Sequence, residues 1–311
     1  MIQITDHILM VRPCKFGYNA ETAVNNSFLD PSAGGSAEEV AERALAEFDA
    51  YTELLREAGV SVEVMQDTVS PSTPDSIFPN NCFSTHLDRR PDGSWIKSLV
   101  IYPMFAPNRR REAAKLMAGR TTLFDRIIDL SYHEKAGLFL EGTGSLVLDR
   151  ERHIAFACAS PRTNEKVLAE WAKLLGYEYF LFDATDGGGT PVYHTNVMMH
   201  VGTSAAVVCL DAVRDTARRR ELVSLLEQCG KEVVEISPAQ MASFAGNMLE
   251  LKGSRSKVLA MSATARRSLT PAQLSVLSRD TTIVAPELGT IEKAGGGSAR
   301  CMIAEIFQAD L

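Results

Sequence analysis

One succession of elements returns along this chain: two short strands, a helix, and in most copies a further strand. "NNCFSTHLD" and "SWIKSLVIYPM", joined by a turn at 91–93, precede the helical "NRRREAAKLMAG". "EGTGSLVLDR" and "HIAFACA" precede the helix "TNEKVLAEWAKLLG" and the strand "YEYFLFD". A third copy runs "VYHTNVMMHVG", "AAVVCLDAV", the helix "RDTARRRELVSLLEQCG" and "KEVVEIS". A fourth runs "NMLELKG", "SKVLAMS", the helical "ATARRSLTPAQLSVLS" and "TTIVAPE". β-Branched and aromatic residues mark the strands. Gly119, Gly176 and Gly230 stand where a left-handed cap ends each helix.

The fifth copy is split between the chain ends. "RCMIAEIF" supplies its first strand; "HILMVRP", the helix "AEEVAERALAEFDAYTELLREAG" and the strand "VSVEVMQ" supply the rest. Pairing the two ends closes a ring and removes exposed sheet edges. Self-similarity of this kind predicts an α/β fold, a fivefold pseudosymmetric β/α propeller rather than a doubly wound sheet. The expected organisation is a single catalytic domain over 1–311.

The repeat also predicts where chemistry collects. The residues opening the first strands are Asn81, Glu141, His194, Asn247 and Cys301, separated by 60, 53, 53 and 54 residues. Equivalent positions around one axis point into one central cleft. A thiolate is the nucleophilic form of cysteine, and a nearby imidazole is the usual means to it. His194 also protonates a leaving nitrogen and activates water, with Glu141 orienting the imidazole. Gly295, Gly296 and Gly297 let backbone approach closely and offer N–H groups to developing charge.

Composition narrows the class. The net charge of −7 argues against a nucleic-acid partner, and "NRRRE" at 108–112 and "ARRRE" at 217–221 read as solvated helix faces. The N-terminus lacks a signal-peptide pattern, and no apolar run reaches the ~20 residues of a membrane helix. Six cysteines are scattered without a CxxC pair, and the histidines lack metal-ligand spacing. The expectation is a reduced, cytoplasmic protein with a small amino-acid substrate and no metal or cofactor; homo-oligomerisation is left open. Cys14, Cys82, Cys158, Cys209 and Cys229 read as structural thiols, and His86 and His200 as strand histidines. "DGGGT" at 186–190 resembles a phosphate cradle, but no Walker lysine or dinucleotide fingerprint accompanies it.

"LEGTGS", "YHTN" and "GGGSARC" resemble motifs of the guanidino-group modifying superfamily, the arginine deiminase and amidinotransferase-like penteins. "FGYNAETAVNNSF", "FPNN", "YPMFAPNRRRE" and "MSATARRSLTP" are similar to its citrulline-utilisation hydrolase branch, over nearly the whole chain. The resemblance implies the same fivefold propeller, with Cys301 as nucleophile, His194 as general acid and base, and Glu141 beside it. It implies that Arg162 holds the substrate's α-carboxylate, with help from Arg109 or Arg110, and that Asn247 lines the substrate. Cys82 departs from the branch, which has a tryptophan there.

Arginine-handling relatives place acids where this chain has Asn81, or its neighbour Asn80, and Asn196. Guanidinium is a permanent cation that pairs with carboxylates. A ureido group is neutral, and an asparagine amide matches its carbonyl and N–H groups without burying charge. The expected activity is therefore hydrolysis of citrulline or a close ureido amino acid to ornithine, carbon dioxide and ammonia. An arginine-type deiminase or dihydrolase is the first alternative. A non-catalytic amino-acid or nucleotide binder on the same scaffold is the second.

Overall fold

A computed structural model describes residues 2–30, 35–90 and 92–308. Pro91, in the first expected turn, lies outside the described residues. The described strands sort into five three-stranded sheets on one plan: a middle strand pairs antiparallel with one neighbour and parallel with the other. The first sheet joins Phe83–Arg89, Trp95–Ile101 and Arg126–Asp129. The second joins Val147–Asp149, Ile154–Cys158 and Glu178–Phe182. The third joins Met199–Val201, Ala205–Val208 and Glu232–Glu235. The fourth joins Leu249–Lys252, Lys257–Ala260 and Thr281–Val284. In the fifth, His7–Arg12 lies antiparallel to Ala304–Glu305, with Leu9 opposite Ala304, and parallel to Ser61–Gln66. The chain ends therefore share a sheet.

Each parallel pairing needs a crossover, and amphipathic helices supply it. Ala37–Glu57 starts at a capping box between Ser36 and Glu39 and buries Val40, Ala44, Phe48, Tyr51 and Leu55, a stripe at three- to four-residue spacing. That stripe packs on Ile8, Met10, Leu251 and Ile303, and the same cluster contains Cys301. Glu165–Leu175 is capped by Asn164 and closed by left-handed Gly176. Its fully buried Trp171 donates Nε1–H to Tyr102 Oη at 2.9 Å, tying the helix to the end of the first sheet. Truncating Trp171 to alanine would cost about 3–5 kcal/mol.

Three expectations change. Arg126–Asp129 completes the first copy; its four residues are too short a run to stand out in the sequence. The helix expected over 108–119 is only a 3₁₀ turn, Pro107–Arg109, and a short helix, Glu112–Leu116, because the chain turns inward to bury Arg109. The helical run after Ser262 is two helices, Ala263–Ser268 and Pro271–Leu277. The residues before Pro271 are held extended (ψ 142° at Leu269 and 157° at Thr270), as the proline ring requires. Among the described residues, no helix is long and apolar enough to cross a membrane.

Candidate active site

The five positions picked out by spacing do not open strands. They lie in tight turns just before them, and a turn can present consecutive groups to one side where a strand would alternate them. Asn81 ends the 3₁₀ turn Pro79–Asn81, and Glu141 precedes the turn Gly142–Ser145. His194 precedes Thr195–Val197, Asn247 lies two residues before Leu249–Lys252, and Cys301 is inside Ala299–Met302. All five are buried.

"EGTGS" is shaped by contact with its neighbours. Gly142 has a left-handed φ of 45°, and a Cβ there would lie 2.3 Å from the Asn80 carbonyl oxygen. A Cβ on Gly144 would lie 2.4 Å from Asn81 Nδ2 and 2.7 Å from His194 Nδ1. The glycines thus let three turns meet. Thr195 Oγ1 donates to Ser145 O at 2.6 Å and accepts the Cys158 N–H at 2.8 Å, fixing the backbone beside His194.

Glu141 Oε2 accepts from His194 Nε2 at 2.8 Å and from Arg162 Nη1 at 3.4 Å, while Oε1 accepts the Phe105 N–H at 2.9 Å. Burial pushes this carboxyl up, but Arg162, then His194 and Arg109, outweigh it and hold it well below the usual carboxylate range. Burial pushes His194 down to about 4, and Glu141 only partly offsets this. The pair is therefore carboxylate and neutral imidazole. An ionised carboxylate only accepts, so the imidazole proton sits on Nε2 and Nδ1 carries a free lone pair.

Cys301 Sγ is held by amides rather than by the imidazole. Asn247 Nδ2 reaches it at 3.2 Å and Asn196 Nδ2 at 3.6 Å, and none of the described hydrogen bonds joins it to His194. Asn247 is itself fixed, accepting the Arg300 N–H at 3.0 Å and donating to Asn196 O at 3.0 Å. Asn196 Nδ2 also donates to Thr143 O at 3.1 Å. Asn247 and Asn196 thus stand behind the sulfur and are not in the wall of the cavity it faces.

That cavity is walled by Cys301, His194, Asn81, Arg109, Arg162, Tyr193, Phe78, Asn26 and the glycines Gly295, Gly296 and Gly297. The glycines are packed closely: a Cβ would lie 2.8 Å from the Phe78 ring at Gly295 and 2.5 Å from Asn26 at Gly296. The Gly296 N–H is already given to Glu292 O at 2.9 Å.

The family-model comparison matches residues 12–308 to N,N dimethylarginine dimethylhydrolase, eukaryotic. The chain belongs to this dimethylarginine dimethylhydrolase family. It is a hydrolase acting on non-peptide carbon–nitrogen bonds of ureido or guanidino groups. Solved structures share the α/β pentein-type fold. The N-terminal domain of ArgZ, an arginine dihydrolase of cyanobacteria crystallised with its substrate, is 16% identical, with a TM-score of 0.73 over 96% of this chain and 97% of that one. AgrE with L-arginine is 17% identical, TM-score 0.74, over 97% of this chain and 40% of that one. A dimethylarginine dimethylaminohydrolase carrying an S-methyl-L-thiocitrulline adduct is 15% identical, TM-score 0.67, over 97% and 100%. No curated protein matches the sequence.

Within this dimethylarginine dimethylhydrolase-family site, the three arginines separate clearly. Arg162 is buried and donates to Asn25 Oδ1 at 2.6 and 2.9 Å and to Thr22 O at 2.7 Å, besides Glu141, with its guanidinium 4.9 Å over Tyr193. Arg109 is buried in the cavity wall; Arg110 is exposed, is not in that wall, and donates to the Met104 and Phe105 carbonyls. Asn80 is fully buried, both its side-chain polar atoms lack a partner, and it does not reach the cavity wall. Cys82 is fully buried among apolar residues, and burial raises its thiol well above the ordinary value. Asp186 Oδ1 takes the Gly188 and Thr190 N–H groups at 2.9 Å each, so the "DGGGT" loop spends on its own side chain the donors a phosphate would need.

Sequence reasoning assigned no role to Asn26, Phe78 and Tyr193 in the wall, to the Phe105 N–H on Glu141, or to Glu112 and Asp75 around Arg109. The i,i+3 spacing of Arg109 and Glu112 is the one signal that could have revealed any of them. Asp75 is 3% exposed, and its Oδ1 has no partner. Among the described residues, no group of three or more His, Cys, Asp or Glu could hold a metal ion.

Proposed function

We propose that this hydrolase acts on citrulline or a closely related ureido amino acid, giving ornithine, carbon dioxide and ammonia. The observation that carries the reading is the charge of the cavity wall. It contains two guanidinium groups and, among the described residues, no carboxylate, while Asn81, in the same wall, carries a buried, unpartnered Nδ2. A substrate guanidinium would find no carboxylate in this wall; a ureido carbonyl finds a donor without bringing charge. Glu141, bonded to His194 of that wall, is already engaged by His194, Arg162 and the Phe105 N–H.

In the proposed reaction the Cys301 thiol loses its proton to His194 Nδ1 and its sulfur attacks the ureido carbon. The oxygen gains charge against Asn81 Nδ2–H, and the imidazolium, stabilised by Glu141, returns the proton to the departing nitrogen. Water deprotonated by His194 then attacks the thiocarbamate. The thiol is released with a carbamate, which breaks down to carbon dioxide and the remaining amine. One water is consumed overall. Arg109 and Arg162, both in the cavity wall, meet the substrate's α-carboxylate. This reading takes the five sheets to surround one axis, closed where Ala304–Glu305 meets His7–Arg12.

The second reading is an arginine dihydrolase, favoured by the family match and by the likeness to ArgZ. It passes through the same ureido compound, so the two diverge only in the first substrate. Purified protein given L-citrulline or L-arginine in parallel separates them. Ornithine from citrulline alone supports the ureido reading; ornithine or citrulline formed from arginine at a comparable rate overturns it.

A further inference from the structure

We propose that Glu112, which does not touch the cavity, is a positioning residue that sets the hydrogen-bonding sense of the site by fixing Arg109 and, through it, the amide of Asn81. The inference rests on the ureido reading for its choice of substrates and on geometry for the rest. Glu112 is fully buried and takes Arg109 in a bidentate pair, Oε1 from Nε and Oε2 from Nη2, each at 2.9 Å. The same guanidinium gives Nη2 to Phe78 O at 3.1 Å and Nη1 to Asn81 Oδ1 at 2.9 Å.

A guanidinium has donors and no acceptor, so the Asn81 atom facing Arg109 is the oxygen. The Asn81 nitrogen then points the other way. It is buried, has no protein partner, and lies against the α-carbon of Gly144 beside His194 Nδ1. An asparagine amide keeps its shape when it turns over, so shape alone does not choose between the two orientations. Arg109 supplies the one described side-chain hydrogen bond to Asn81, and Glu112 supplies the fork that aims Arg109. With the lock intact the site offers an N–H, the match for a carbonyl oxygen. Turned over, Asn81 would offer an oxygen, the match for a guanidinium N–H. Without Glu112, Arg109 is drawn to the remaining buried acid, Asp75, whose Oδ2 is 4.0 Å from Nε, and Asn81 is released.

The test compares L-citrulline and L-arginine as substrates of wild type, Glu112→Gln, Asn81→Asp and the double variant, each checked for an unchanged circular-dichroism spectrum. A site built around a hydrogen bond discriminates strongly against a partner that cannot make it. Glu112→Gln should therefore lower the citrulline-to-arginine ratio of kcat/KM at least tenfold. Asn81→Asp, which can offer only acceptors, should lower it further, and adding Glu112→Gln should then change the ratio little. A purely structural glutamate would slow both substrates alike and add to the effect of Asn81→Asp. If Glu112→Gln does not fold, Arg109→Lys, which keeps the charge and loses the fork, replaces it in the same comparison. The same ratios are read as affinities by calorimetry on the Cys301→Ala background, where turnover is not needed. A ratio unmoved by loss of the lock overturns this inference whatever wild type prefers. A wild type that prefers arginine overturns the ureido reading and leaves the ratio test intact.

Discussion

His194 and Arg162 reach the same oxygen of Glu141, at 2.8 and 3.4 Å, so one buried carboxylate orients the imidazole and neutralises a guanidinium in the cavity wall. Glu141→Gln keeps the size and removes the charge. Its amide can accept from His194 or donate to it, and the imidazole loses its fixed tautomer. kcat should fall by about 10²–10⁴-fold, the usual worth of a general acid–base group. Removing one partner of a buried pair should also lower stability by about 3 kcal/mol. Steady-state kinetics and urea unfolding of the purified variant check both.

Acid should destabilise the fold in a definite window. The folded state holds His194 near 4, against 6.5 when exposed, so between those values the unfolded chain binds more protons. Stability from this group is complete above 6.5, falls as pH drops toward 4, and is constant below. The loss is on the order of 3 kcal/mol. Glu141, also held below its exposed value of 4.5, extends the loss to lower pH with the same sign. Urea midpoints measured from pH 7.5 to 3.5 should decline across this range, and His194→Asn should flatten the upper part of the curve.

The repeating units and the Cys301, His194 and Glu141 turns were legible because near-constant spacing survives in a linear sequence. What the spacing could not give was facing. Asn196 and Asn247 fall at plausible distances along the chain, yet they hold the sulfur from behind, because a turn of one residue more or less decides which wall a side chain joins. The splitting of the helix after Ser262 was readable from Pro271. Glu112 was not readable as a site residue, since its effect passes through two other side chains. The thiol and imidazole read naturally as partners, but the first contacts of each are an amide and a carboxylate.

Gly144→Ala should inactivate the enzyme without unfolding it. The new methyl would overlap Asn81 Nδ2 at 2.4 Å and His194 Nδ1 at 2.7 Å, the two groups proposed to meet the substrate's reacting end. Both must shift, and a displacement of about 1 Å can cost about 10²-fold in rate. The overpacking should cost about 1–3 kcal/mol. A melting temperature lowered by only a few degrees, with kcat down at least a hundredfold, is the expected pairing of results.

Asn247→Ala should separate rate from binding. It removes the 3.2 Å donor on Cys301 Sγ and strands the Arg300 N–H and the Asn196 carbonyl, which lose their partners. Those unmade bonds should cost about 1–3 kcal/mol of stability. kcat should drop at least tenfold with KM changed less than threefold, because Asn247 does not line the cavity. A KM effect larger than the kcat effect would return it to the substrate wall.

The antiparallel partner of His7–Arg12 is Ala304–Glu305, three residues past Cys301. A ribosome makes the chain from its amino end, and folding of the early portions begins while the rest is still being added. The strand 7–12 therefore waits without that neighbour until residues 304–305 have been made. A nascent chain carries the imidazole and its carboxylate long before it has a sulfur to work with. A product that stops ahead of Cys301 lacks the proposed nucleophile together with the antiparallel neighbour of His7–Arg12. The proposed attacking thiol and the strand that pairs with His7–Arg12 thus arrive together, within residues 301–305.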